Sequence, residues 1–390
     1  AFYAVTPAIS AFFQLRFAME EDLLSETPED VSDRFIERGE MWVNWAGIAG
    51  SPVSLEVGRL DFEDDRLWWW DEDLDAARLI YEADLFEIAL AVAEELAPAR
   101  SDRSYIDPEH ENLTRWIAEI SLDWNDHHAL QLFVLHQNDR SGTEAPGAVI
   151  ASDREDESDA ELTWLGVRAA GAFVFEGGTL LGYWADAGRV LGRETLLETE
   201  DVPPKYVEVD EVVRKDVSGW GVDTGLTLAL PTAGEPRFTL GWAWGSGDRR
   251  TDSGTDSAYR QTGIHGNECA FGGVERFQIY GEILDPELSN ISIVTTGLGF
   301  SLMESSSIDL VLHDYRLVQP AGELRDSRLD AELNESDLDL GSGVDLILGL
   351  EEWDAVQFRI TASAFHTGKA FGVDRDQWIY STLFEFRFAF

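Results

Sequence analysis

The chain is rich in side chains that do chemistry, and their spacing decides which chemistry is open to it. Asp and Glu number 75 against 29 Lys and Arg, for a net charge of −46. With so many acids some pair sits at glycosidase separation by chance, so paired carboxylates carry no catalytic information. The nucleophile elbow G-x-S-x-G, the phosphate loop G-x-x-x-x-G-K and the zinc motif H-E-x-x-H are all absent. His127 and His128 are adjacent, and His110, His136, His265, His313 and His366 are isolated; none has a metal-ligand spacing. The single Cys269 excludes a disulfide framework and any cysteine-based zinc site. No enzyme and no cofactor is expected. What remains is fixed charge: Asp153, Glu155, Asp156, Glu157, Asp159 and Glu161 form one acidic cluster, and Glu335, Asp337 and Asp339 another. Such clusters in loops are first of all solvated. They also suit weakly held Ca²⁺ or Mg²⁺, hard cations that would tie acidic loops to lipid phosphates, although no stretch has the spacing of a dedicated calcium loop. The negative charge excludes nucleic acid as a partner caught by bulk electrostatics.

The elements that must position these charges read as strands. The C-terminus places Tyr380, Thr382, Phe384, Phe386, Phe388 and Phe390 on one face, with Ser381, Glu385, Arg387 and Ala389 on the other. A soluble protein has little use for such a strand. An outer-membrane barrel needs it, and Phe384, Phe386, Phe388 and Phe390 read as the lipid-facing signal for the barrel-assembly machinery. The same alternation runs through Trp116, Ala118, Ile120, Leu122 and Trp124, whose interleaved partners include Arg115 and Glu119 on the water side. It recurs at 222–230, 238–244 and 356–364. Acidic, turn-rich stretches at 20–33, 61–75, 98–111, 138–161, 198–216, 245–258, 320–343 and 366–377 read as loops. About 22 residues per strand and connection gives roughly 16 to 18 strands. The expectation is therefore all-β: a transmembrane antiparallel barrel, one domain over 1–390.

Residues 85–96 fit both helical and strand spacing and are assigned to a strand. A short helix is expected near Thr27–Phe35, where Thr27 and Asp30 resemble an N-cap. No uncharged stretch reaches the length of a membrane helix. The start at Ala1, without methionine or leader, is what a chain with its secretory signal removed would show, which with the strands points to the bacterial outer membrane. The 14 Trp and 9 Tyr suit girdles at the two membrane interfaces. Girdle packing is the expected place for the run Trp68, Trp69, Trp70 too, with at least one ring turned inward or capping the rim.

Several blocks resemble the alginate-export family of bacterial outer-membrane porins: VGRLDFEDDRLWWWDEDLDAARL from Val57, ELTWLGVRAAG from Glu161, YRQTGIHGN from Tyr259, YGEILDPELSN from Tyr280, and the aromatic last strand. The resemblance implies a monomeric barrel of about eighteen strands whose lumen arginines pass an anionic polysaccharide. Arg59 matches the arginine of the family's GR pair, and Arg276 and Arg359 fall where the family has basic groups in late strands. Arg59, Arg78, Arg276 and Arg359 are thus wall candidates, with Glu282 and Asp285 as acidic counterparts. Leu113, Asp285 and Gln357 stand where family members carry arginine, which makes the pathway less basic.

The function expected is a passive channel, or porin, for diffusion or export of a hydrophilic solute: an anionic polysaccharide or another carbohydrate. Two alternatives stay open: a cation-preferring general porin, and a structural barrel that sheathes or docks a basic or periplasmic partner protein. The acidity fits a halophilic host or a negative lumen. Expected partners are outer-membrane lipid and lipopolysaccharide, the assembly machinery and periplasmic export components.

Overall fold

The computed structural model describes residues 2–20, 33–125, 127–156, 158–249, 254–329, 331–353 and 355–388. Its strands are β1 (Phe2–Thr6), β2 (Ile9–Glu20), β3 (Asp33–Trp45), β4 (Val53–Glu63), β5 (Asp71–Ala83), β6 (Phe86–Ala93) and β7 (Leu113–Asn125). There follow β8 (His128–Asp139), β9 (Val149–Ala151), β10 (Ser158–Val174), β11 (Leu180–Val202), β12 (Tyr206–Ala229), β13 (Arg237–Gly245) and β14 (Thr255–Asp256). The rest are β15 (Glu268–Cys269), β16 (Phe277–Gln278), β17 (Ile291–Met303), β18 (Ser306–Leu317), β19 (Asp339–Trp353), β20 (Val356–Thr367) and β21 (Trp378–Phe388).

Nineteen strands form one sheet, and β15 with β16 a separate pair. In the large sheet β9 and β14 are short pieces lying against β12. The other seventeen are antiparallel neighbours in chain order, inside the expected range of 16 to 18. Among the described residues no ladder joins β21 to β1, and no helix is long and apolar enough to cross a membrane. The fold is a transmembrane β-barrel. Its long connections gather at one end. The opposite end has only turns of at most seven residues, such as 84–85 and 304–305, whereas this end has 94–112, 140–157, 246–290 and 318–338 beside the shorter 64–70 and 203–205. In outer-membrane barrels the short turns face the periplasm and the long loops the outside.

Alternation sorts the wall as expected. On β13, Phe238, Leu240 and Trp242 are exposed while Arg237, Thr239 and Ala243 are buried. Aromatic clusters mark both edges of the apolar band. Towards the short-turn end His128 packs on Trp124, Phe173 and Tyr183; towards the long-loop end His136 packs on Trp116 and His366 on Trp378. Phe384, Phe386 and Phe388 stand exposed on the last strand. Phe390 lies outside the described residues, as do 21–32, which hold most of the expected short helix; Phe35 is in β3.

Two expected loops are largely strand. Residues 198–216 belong mostly to β11 and β12, which at 23 and 24 residues are about twice the length needed to cross a bilayer. Valines hidden among the acids explain it, since Val207, Val209 and Val217 are buried at strand spacing. Of 61–75 only 64–70 lies outside β4 and β5. The ambiguous stretch at 85–96 is the strand β6.

Candidate functional site

The lumen is filled by inturned parts of the chain, chiefly the β4–β5 tip and the 246–290 connection, with 318–338 packed on the latter through Glu287 N to Asp326 O (2.9 Å) and Arg328 N to Leu284 O (3.1 Å). β3 pairs with β4 only from Met41↔Arg59 to Trp45↔Leu55. Beyond that β4 pairs with β5 alone, up to Glu63↔Asp71, and their common tip leaves the wall. Gly58 marks the departure with φ +139°, and a Cβ there would strike the Met41 carbonyl. The edge of β3 is covered instead by the 94–112 connection: Arg38 N donates to Ala99 O (2.9 Å) and Ser101 N to Ile36 O (2.9 Å). The Arg100 guanidinium lies 3.4 Å over the Phe35 ring.

The inturned tip is held in shape by Asp64. Its Oδ1 accepts from Arg66 N (3.0 Å), and its Oδ2 from Trp69 N (2.7 Å) and Trp70 N (3.2 Å). This closed turn carries Trp68, Trp69 and Trp70 into the lumen, where all three are buried and Trp69 has no exposed surface. The tryptophan run is therefore not girdle, and the inward turn takes all three rings. Indole surface of this size, about 200 Å² per ring, favours burial inside the barrel over exposure in a loop. Trp69 stacks on Phe133 of β8 at 4.9 Å. Gly166 of β10 makes room for it, because any side chain there would collide with the indole.

Charges fasten the tip to the wall. Arg168 of β10 donates to Asp186 of β11 (2.7 Å) and pairs with Asp64. Arg66 donates to Asp223 of β12 (2.8 Å) and lies 4.4 Å over the Trp184 ring. Asp223 also accepts from Trp184 Nε1 (2.8 Å) and the Tyr280 hydroxyl (3.1 Å), and Trp68 Nε1 donates to that same hydroxyl (2.7 Å). Three carboxylates and two guanidiniums, all buried, compensate one another here. Removal from water makes each costly alone, and only pairing makes the set tolerable.

The long 246–290 connection docks on this tip. Gly266 N and Asn267 N both donate to Leu67 O at 2.8 Å. Thr262 donates to Trp69 O, and Tyr259 stacks on Trp68 at 6.2 Å. The blocks at 259–267 and 280–290 thus lie in the filling and not in strands. So do three residues expected at or opposite the wall. Arg276 is not in a late strand; it sits in this connection and pairs with Glu63 (2.5 Å), both well exposed. Glu282 reaches the wall from within and accepts from Arg359 of β20 (3.1 Å). Asp285 meets Arg328 (3.0 Å), not a wall arginine. Burial pushes its carboxyl up to about 7, with Arg328 opposing.

The remaining expected residues are on strands. Arg78 pairs with Glu56 across β4 and β5 (2.7 Å). Glu119 accepts from Ser121 (2.9 Å) and Gln131 (3.3 Å). Gln357 is half-buried opposite Arg387. Arg59 and Arg115 are at most 5% exposed, and neither has an ion pair among the described residues. Arg59 Nε donates to Arg38 O (3.1 Å) while its Nη1 has no partner; Arg115 Nε has none either. Arg66, Arg168, Arg237 and Arg260 were not anticipated. For Arg168 a signal existed: it continues the inward phase of Leu162 and Trp164 within ELTWLGVRAAG. At the long-loop end a cavity of about 770 Å³ remains open, and Arg115, Gln137 and Trp164 are in its wall.

The family follows from one comparison: the model described as alginate export matches residues 1–379. The chain belongs to the alginate export family. It is 27% identical over 374 residues to the alginate production protein AlgE of Pseudomonas aeruginosa, covering 91% of this chain and 75% of that one. The AlgE protein of Pseudomonas syringae is 23% identical over 338 residues, covering 81% and 66%. Two solved structures are also similar. Pseudomonas aeruginosa OccK8 (OprE) has a TM-score of 0.38 and 11% identity over 97% of each chain. The siderophore receptor PirA from Acinetobacter baumannii has 0.32 and 10%, covering 98% of this chain and 74% of that one. As an alginate export barrel the protein is an outer-membrane transport channel.

Proposed function

We propose that this barrel is a passive conduit through which an anionic, uronate-type polysaccharide leaves the cell, in a state closed by the 64–70 tip and the 246–290 connection. The family match over 1–379 carries the reading. The inner wall supports it, because among the described residues Arg59 and Arg115 are buried guanidinium groups that form no ion pair and each keep one nitrogen without a hydrogen-bond partner. A polymer carboxylate that sheds water in a narrow lumen recovers its hydrogen bonds from such forks. Movement follows the gradient.

Planar bilayers test this. Oligouronates added to one side should block the current through the open barrel, and Arg59→Gln with Arg115→Gln should weaken the block at least tenfold, with neutral dextran oligomers unaffected. Equal action of uronate and dextran would overturn it. The filled lumen favours the second reading, a structural barrel that holds a partner protein. A barrel lacking 64–70 that inserts and still passes no ions would support that reading instead.

A further inference from the structure

We propose that the outer vestibule of the lumen is a cation-gathering chamber, so that any anionic polymer leaving through it emerges together with its counter-cations. The cavity of about 770 Å³ lies among the strand ends at the long-loop side, near Leu113, Asp139, Ser158 and Leu196. Eight carboxylate residues line it against four permanent cations. Two of those cations are already engaged: Arg260 with Glu194 (2.8 Å) and Asp256 (2.7 Å), and Arg325 with Glu194 (3.2 Å) and Glu287 (3.1 Å). Five lining carboxylates, Asp139, Asp156, Glu198, Glu323 and Asp326, have no ion pair among the described residues. Burial lowers both lining histidines, His265 to about 4, so neither adds positive charge at neutral pH.

A chamber of one sign with low-dielectric walls focuses its field into the water it holds. Four uncompensated negative charges at a distance of about 6 Å raise a monovalent cation over bulk on the order of a hundredfold before screening, and still well over tenfold at low salt. Arg66 of the tip and Arg168 of the wall do not offset this, because they are consumed in ion pairs deeper in the lumen.

A nitroxide in the chamber reads the local potential directly. The label goes on Leu324→Cys, a lining position, in a Cys269→Ser background, with the whole barrel in lipid nanodiscs. Its relaxation by hexaamminechromium(III), a trication, is compared with that by tris(oxalato)chromate(III), a trianion. The cation should act at least tenfold more strongly at about 10 mM salt, and the ratio should collapse towards one at 1 M, where the Debye length is about 3 Å. Combining Glu198→Gln, Glu323→Gln and Asp326→Asn should at least halve the low-salt ratio. A ratio at or below one in the labelled barrel overturns the proposal, as does one that the three substitutions leave unchanged. The measurement reads small ions and no polymer flux, so its failure and that of the conduit reading are distinguishable.

Discussion

Arg168 is the point at which the inturned tip can be released with least disturbance to the wall. It joins Asp64 on the tip to Asp186 on β11 and is 1% exposed. Arg168→Met keeps the length and apolar stem of the side chain but removes the charge, leaving Arg66 alone against Asp64, Asp186 and Asp223. Breaking a buried pair by removing one partner costs about 3–5 kcal/mol. Asp186 is on the wall in both states, so roughly half of that loss falls on docking of the tip. Docking should therefore weaken by about 2 kcal/mol, some thirtyfold in the docked-to-undocked ratio. The assay is single-channel recording, with heat-modifiability on gels showing that the barrel is folded. Open probability should rise by an order of magnitude or more, and adding Asp64→Asn to Arg168→Met should bring it part of the way back by removing the orphaned charge. Substituting the exposed Arg103–Asp107 pair (2.5 Å) should change nothing. A folded Arg168→Met barrel with an open probability within twofold of the parent would refute the view that this network holds the channel shut.

Two further perturbations probe the filling. Gly166→Ala puts a methyl where the Trp69 indole lies, so the tip should shift and tryptophan emission move to the red; a second change, Trp69→Leu, should restore the quencher-inaccessible state. Asp285 titrates near 7 when folded and near 3.8 when unfolded, so between those values the folded chain holds the extra proton and stability falls as pH rises. Asp285→Asn should then stabilise the barrel in thermal melts at pH 8 by at most about 4 kcal/mol, with little effect at pH 4, and an equal effect at both would show that the carboxyl is not shifted.

Strands were legible because one physical rule, lipid on one side and water on the other, writes itself into alternate residues. The phase of Trp116 to Trp124 or Phe238 to Trp244 needs no partner to be read. Residues 198–216 concealed their strand because acids outnumber the valines that give it an inner face. The filling was not legible for a different reason. Trp68, Trp69 and Trp70 are apolar enough for a membrane interface, and nothing local says that the wall opens after Gly58 and takes the hairpin inward. That outcome depends on distant glycines, above all Gly166, and on acids more than a hundred residues away along the chain. Arg276 was assigned to a late strand by its likeness to the family's basic positions and not by any alternation around it, and it lies in the 246–290 connection between β13 and β17.

The pairing pattern itself separates two duties among the arginines. Arg66 reaches Asp223 across 157 residues, Arg168 reaches Asp64 across 104, Arg325 reaches Glu194 across 131 and Arg359 reaches Glu282 across 77. Each of these pairs joins an inturned segment to a wall strand or to another segment, so these guanidiniums serve as latches. A latch cannot at the same time offer its charge to a passing carboxylate, because that charge is already matched by a carboxylate of the protein. Arg59 and Arg115 form no such ion pair among the described residues, and in the proposed conduit they are the groups that meet the solute. Latch substitutions should therefore change how often the channel opens without changing which solute blocks it, whereas substitutions at Arg59 and Arg115 should do the reverse.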